Sequence, residues 1–180
     1  MNKNYIETNR LILRRFEETD IDDFFECCQN PNLGNNAGWK PHESKEESLA
    51  ILKSFFIESE NNVWAVVLKE TDRIIGSIGL VPDPKRENPH SGMLGYWLKE
   101  SCWGKGYMSE ATQAVLKFGF STLNLNLVTA NCYPHNERSQ QVLKRNGFVY
   151  EGLLHQAEVT YDEKVLDHLC YYLTKEEYIT

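Results

Sequence analysis

The chain has 180 residues, 41% hydrophobic and 25% charged, with a net charge of −7. That length suits one core rather than two small ones, and the composition excludes a disordered or low-complexity chain. The negative balance argues against a nucleic-acid backbone as main partner, since that affinity rests on Lys and Arg neutralising phosphates, and suits a small-molecule or cationic substrate.

No internal repeat and no Pro/Gly/Ser linker interrupts the chain, so residues 1–180 read as a single domain. The apolar runs are strand-sized, and no apolar stretch follows the basic residues of MNKNYIETNR. Neither a membrane span nor a secretory leader is therefore expected, no membrane partner either, and a cytoplasmic location is the default. Five cysteines without a CxxC pair suit reduced, mostly buried thiols. Cys132 with His135, and His168 with Cys170, lack a second pair at zinc spacing, so no metal is expected.

In chain order, RLILRRF from Arg10 to Phe16 predicts a first strand. Thr19 or Asp20 can cap a helix through DIDDFFECCQ, which Asn30 and Pro31 end. PNLGNNAGWKPH is turn-rich and reads as a loop. Ser44 with Glu47 makes a capping box for a second helix with Leu49, Leu52, Phe56 and Ile57 on its apolar stripe. VWAVVLKE and RIIGSIGLV predict an antiparallel hairpin turning at Thr71 and Asp72. After a loop, MLGYWL is a strand, and a helix from about Met108 places Met108, Ala111, Val115 and Phe118 on one face. LNLVTANCY is a strand, NERSQQVLKRNG a short helix with Asn136 as cap and Gly147 as stop, and FVYEGLL with KVLDHLCYYL two closing strands. This order implies an α+β fold with a mixed sheet in which MLGYWL and LNLVTANCY, joined by a helix, run parallel.

Gly104 and Gly106 stand between a strand and a helix start. Unpaired backbone amides and the positive end of the helix dipole meet there, and a glycine lets phosphate oxygens approach the main chain. A tight turn with no ligand is the alternative reading of the segment alone. Gly106 is followed by Tyr107 and Met108, which breaks the Walker pattern, and Ser109 stands where a dinucleotide fingerprint needs its third glycine.

YWLKESCWGKGYMSEA, followed at a fitting distance by NERSQQVLKRNGF, resembles the GNAT superfamily of N-acetyltransferases, closest to its RimJ/RimL-like branch. The family's pyrophosphate loop, Gln or Arg, two residues, Gly, one residue, Gly or Ala, is matched here by Trp103, Gly106 and Met108, so its outer positions differ. Asn136, Ser139 and the pair Gly147 and Phe148 match the second segment. The resemblance implies a mostly antiparallel sheet, flanked by helices, whose two central parallel strands splay apart to hold acetyl-CoA as cosubstrate.

On that resemblance the backbone of Tyr96, Trp97 and Leu98 would hold the pantetheine arm and thioester. Main-chain amides from Trp103 through Gly104, Lys105, Gly106, Tyr107 and Met108 would hold the pyrophosphate, with Asn136 a pantetheine contact. Lys105 or Arg145 can pair with a CoA phosphate. The reaction implied is direct attack of a primary amine, a protein N-terminus or a small amine. The catalytic expectations are an oxyanion held near the Leu98 amide and a leaving sulfur hydrogen-bonded or protonated by Ser139. As residues alone, Asn136 and Ser139 equally suit a helix cap. Trp39 and His42, in the loop between the first two helices, are candidates for the acceptor pocket, Trp39 equally for a hydrophobic plug.

Many relatives carry an acid where this chain has Met93, which cannot accept a proton; His42, Glu47, His90, Tyr133, His135 and Asp167 are chemically able alternatives. Two other readings remain: a catalytically silent acetyl-CoA-binding module, and a nucleotide enzyme using the glycine loop. Acetyl-CoA binding without turnover marks the first, and Mg-dependent nucleotide binding that CoA fails to displace marks the second. Relatives are often dimers, so a homodimer is an expectation of the resemblance.

Overall fold

Strand and helix follow the apolar pattern closely in the computed structural model, which describes residues 4–179; Met1, Asn2 and Lys3, part of the stretch read for a leader, and Thr180 lie outside them. Leu11 and Leu13 alternate with half-buried neighbours in β2 (Leu11–Arg14), and a short β1 (Tyr5–Glu7), absent from the sequence reading, folds back on it. β3 (Asn62–Leu68) and β4 (Arg73–Val81) form the expected hairpin. β5 (Ser91–Leu98), β6 (Leu127–Cys132), β7 (Val149–Val159) and β8 (Val165–Thr174) complete an eight-stranded sheet in the order β1, β2, β3, β4, β5, β6, β8, β7. Every pairing is antiparallel except that of β5 with β6. The fold is the expected α+β class with a mixed sheet.

Helices cover both faces. α4 (Tyr107–Ser121) buries Met108, Ala111, Val115 and Phe118, the face read from its spacing, and sets Phe118 edge-on against Trp64 at 5.3 Å. α5 (Glu137–Arg145) adds Leu143 to the same core. On the opposite face α1 (Ile21–Cys28) packs Phe24 against Phe16, Phe56 and Trp97. α1 is preceded by a 3-10 turn, Glu18–Asp20, in which Asp20 accepts from the Glu17 amide at 2.8 Å instead of capping α1 itself.

The segment read as a loop after Asn30 is a helix, α2 (Pro31–Ala37). Asn30 caps it by accepting from the Asn32 amide at 2.8 Å, Pro31 opens it, Leu33 anchors it in the core, and Gly38 closes it at φ 84°. Proline at a first helical position and a left-handed glycine past the end are helix signals that a turn-rich composition masks. α3 (Lys45–Ile51) has the expected cap, Ser44 accepting from the Glu47 amide at 3.1 Å, but Glu47 itself accepts from Glu43. It continues as a π-helical turn, Leu52–Ile57. A last short helix, α6 (Lys175–Ile179), was not expected. No helix among the described residues is long and apolar enough to cross a membrane.

Candidate functional site

β5 and β6 are paired only from Ser91 with Leu127 to Leu94 with Ala130. Beyond that point β5 follows β4, with Gly95 to Leu98 opposite Gly79 to Gly76, while Asn131 and Cys132 follow β8. The two strands therefore part, and a cleft opens between them. Its orientation follows from the ladder. The Lys99 amide donates to Ile75 O at 2.7 Å, toward β4. Alternation along an extended strand then turns the peptide groups of Leu98 and Tyr96 away from β4, into the opening. The Leu98 carbonyl is taken by the Trp103 indole N–H at 2.6 Å, which leaves the Leu98 amide and both Tyr96 groups as a free backbone edge.

A cavity of about 290 Å³ continues from this edge between α4 and α5, lined by Tyr96, Trp97, Leu98, Trp103, Gly104, Gly106, Tyr107, Met108, Asn136 and Ser139 among others. Of the residues expected to hold a coenzyme, Lys105 is the exception: its side chain is exposed and outside the cleft. The cations that do line the cleft are Arg145 and Arg138, the latter 4.5 Å over the Trp103 ring. Arg138 was not singled out from sequence, having no local signal beyond its charge.

Gly104 and Gly106 adopt φ values of 74° and 78°, a region that L side chains enter only with strain, so the turn needs both glycines. Gly106 caps α4 without any side-chain hydrogen bond, and the first intrahelical bond runs from the Glu110 amide to Gly106 O at 3.1 Å. The amides of Tyr107, Met108 and Ser109 thus have no helical partner, and all three residues line the cleft. This is a cradle for an anion.

On the opposite wall Asn136 accepts from the Ser139 amide at 3.1 Å and donates to Asn36 O at 3.2 Å, joining the start of α5 to the end of α2. Both halves of its amide are engaged within the protein. The Ser139 hydroxyl lies 2.8 Å from the Tyr96 hydroxyl, and both residues line the cleft. Burial pushes the Tyr96 phenol well above its ordinary value of 10.0, so it stays protonated and able to donate. Cys132 is buried beside them, and burial raises its thiol to about 11, which makes it a poor nucleophile.

Beyond the end of α2 lies a second polar group. Tyr133 Oη donates to Glu158 Oε2 at 3.0 Å, and His168 Nε2 is 3.0 Å from the same oxygen. His135 stacks on Tyr133 at 5.3 Å. Glycine suits position 38 because its φ of 84° strains an L side chain, and a Cβ there would also press on Tyr133 Oη and approach Glu158 Oε1 to 2.7 Å. Glu158 reaches this position through a register shift in β7 between Leu154 and Glu158 that holds Gln156 at φ 50°. Such a bulge re-aims the side chains that follow it. No sequence pattern announces it, so sequence alone does not single out Glu158.

The other base candidates are elsewhere. Asp167 accepts from the Gln156 amide at 2.7 Å, the bond that chiefly holds its carboxyl below the ordinary range, and faces His155. Glu47 is tied to Glu43, and His90 lies in an exposed loop. His42 is buried with its Nδ1 2.7 Å from Ser48 Oγ and its ring against Phe24, and does not line the cleft. Burial lowers its pKa, as suits a neutral core histidine. Trp39 packs edge-on against Trp97 at 6.1 Å, the plug between helix and sheet rather than a wall of the cleft.

Comparison with known proteins agrees with this geometry. The model of the acetyltransferase (GNAT) domain matches residues 10–149. The chain is 31% identical to an uncharacterized N-acetyltransferase, p20, of Bacillus licheniformis, over 95% of this chain and 96% of that one. It is 37% identical to the ribosomal-protein-serine acetyltransferase of Escherichia coli, over 75% and 76%. Among solved structures, spermidine N-acetyltransferase from Vibrio cholerae, crystallised with CoA and spermine, superposes with a TM-score of 0.79 at 21% identity, covering 96% of this chain and all of that one.

Proposed function

The chain belongs to the GNAT acetyltransferase family, and on that premise we propose that it moves an acetyl group from acetyl-CoA to a primary amine by direct attack, the acceptor being a protein N-terminus or a small amine. The observation that carries this reading is the coincidence, in one cleft, of a free strand edge at Tyr96 and Leu98 with unpartnered helix amides at Tyr107 to Ser109. The edge suits the amides of a pantetheine arm, and the helix amides suit a diphosphate. Arg138 and Arg145, on α5, add positive charge from the facing wall.

Acetyl-CoA brings an activated thioester. The Leu98 amide, pointing into the cleft, donates to the carbonyl oxygen as negative charge develops on it. With the Tyr96 hydroxyl as donor to Ser139 Oγ, 2.8 Å away, the Ser139 hydrogen is left to hydrogen-bond the departing sulfur. Glu158 accepts the proton that an ammonium must lose before it can attack, and Tyr133 and His168 hold its carboxyl in place. Glu158 does not line the cavity, but it lies against Gly38, next to Ala37, which does, and a carboxylate there can take the proton that Met93 cannot; that favours the enzyme over the silent binding module.

Release of free thiol from acetyl-CoA, measured against a panel of N-terminal peptides, polyamines and amino acids, tests the assignment. Turnover with at least one amine is expected, and Glu158→Gln should lower kcat by about 10²-fold. Acetyl-CoA binding with no turnover on any member would replace this reading with the binding module.

A further inference from the structure

Arg10 and Glu110, a hundred positions apart, meet outside the cleft, behind the glycine loop. Glu110, in the first turn of α4, accepts from Thr8 Oγ1 at 2.6 Å, the Arg10 amide at 2.8 Å and Arg10 Nε at 2.6 Å. Another arm of the same guanidinium reaches the loop itself: Arg10 Nη1 donates to Lys105 O at 2.9 Å. Its carbon sits 4.5 Å over the Tyr107 ring, and Nη2 is 3.6 Å from where a Cβ on Gly106 would be.

A trans peptide points its carbonyl and its amide in opposite directions. Fixing Lys105 O outward, on Arg10, therefore fixes the Gly106 N–H inward, on the cleft side. Gly106 closes that peptide on one side and Gly104 stands one residue before it, so the local backbone does little to hold it. Charge matters as well. Glu110 is a carboxylate within one turn of the helix end that would meet a diphosphate, and Arg10 neutralises it there while lending a cation to the loop.

We infer that Arg10, held by Glu110, is a positioning residue for the coenzyme diphosphate: it orients the Lys105–Gly106 peptide and cancels the carboxylate behind the anion cradle. This deepens the acetyltransferase reading and rests on it. The role is confined to one part of the ligand, which separates it from a general contribution to folding. Pantetheine, which lacks the diphosphate, should be indifferent to Arg10.

Calorimetric titration with CoA and with pantetheine tests this. In Arg10→Ala the CoA affinity should fall about tenfold or more, as expected for losing hydrogen bonds to a charged group, while pantetheine affinity stays as in the wild type. Arg10→Lys, which keeps the charge but cannot bridge Glu110 and Lys105 O together, should bind CoA with intermediate affinity; it decides the matter if the alanine variant fails to fold. Unchanged CoA affinity, or equal losses for CoA and pantetheine, would overturn the inference. Wild-type protein that ignores CoA would instead remove the acetyltransferase reading beneath it.

Discussion

Ser139 shows how one side chain can satisfy two readings of a sequence. Its amide donates to the Asn136 cap, the structural use, while its hydroxyl meets Tyr96 inside the cleft, the use a transferase needs. Removing the hydroxyl should leave α5 capped, because the cap uses the backbone amide and the Asn136 side chain. Ser139→Ala should therefore lower kcat on the order of 10²-fold with little change in melting temperature or acetyl-CoA KM. Tyr96→Phe, which removes only the orienting hydrogen bond, should lower kcat roughly fivefold. Wild-type kcat in both variants would strip the pair of its catalytic role. Ser139 was legible because it sits at a fixed offset from a cap and a Gly-Phe pair. Tyr96 was legible only as backbone, and Glu158 not at all, since its position depends on the bulge between Leu154 and Glu158 and on glycine at position 38 of the chain.

Elements are legible in the sequence wherever burial is one-sided and hidden where conformation depends on caps or on a neighbour. α4 declared itself by spacing, and β3 with β4 by two β-rich runs and a polar turn. α2 hid behind Gly, Asn and Pro, residues of low helix propensity whose roles as cap, first residue and stop become visible only once Leu33 is buried. β1 is too short to show a period and exists because β2 offers it an edge. The join between the β1–β2 turn and α4 has a measurable consequence. Burial alone would raise the Glu110 carboxyl, but the bonds from Thr8 and Arg10 outweigh it and set the folded value below the ordinary 4.5. A carboxyl depressed by folding contributes stability that is complete above its unfolded value and is lost as the pH falls through the folded one. The melting temperature should thus decline as the pH drops below 4.5, and Glu110→Gln should flatten part of that decline while lowering stability at neutral pH. An identical pH slope in variant and wild type would show that the carboxylate is not coupled to folding.

For the whole molecule, the opening that admits a ligand is also where the sheet is weakest. β1 to β5 and β6 to β8 are joined directly by only the short parallel run from Ser91 to Leu94, and parallel pairing is the less stable kind. A polar staple spans the same seam within its paired run. Asp83, in the loop after β4, accepts from Thr129 Oγ1 on β6 at 2.7 Å, from Arg86 Nη1 at 2.8 Å and from the Lys85 amide at 2.9 Å; Arg86 in turn reaches Glu151 on β7 at 2.5 Å. Burial pushes the Asp83 carboxyl up, yet these donors hold it below its ordinary value, so it is charged and its side chain is almost wholly enclosed, at 1% exposure. Replacing it with Ala strands the Thr129 hydroxyl and leaves Arg86 with Glu151 alone. The cost should be about 2 kcal/mol, as for losing hydrogen bonds to a charged group, which lowers the melting temperature by roughly 4–8 °C in a chain of this size. The staple holds Thr129 inside the paired run of β5 and β6, where it faces Met93 one pair before the strands part. Molecules of Asp83→Ala that remain folded should therefore bind CoA as tightly as the wild type. A weakened affinity in the folded variant would mean that the two halves of the sheet swing as rigid bodies, with the seam setting the width of the cleft.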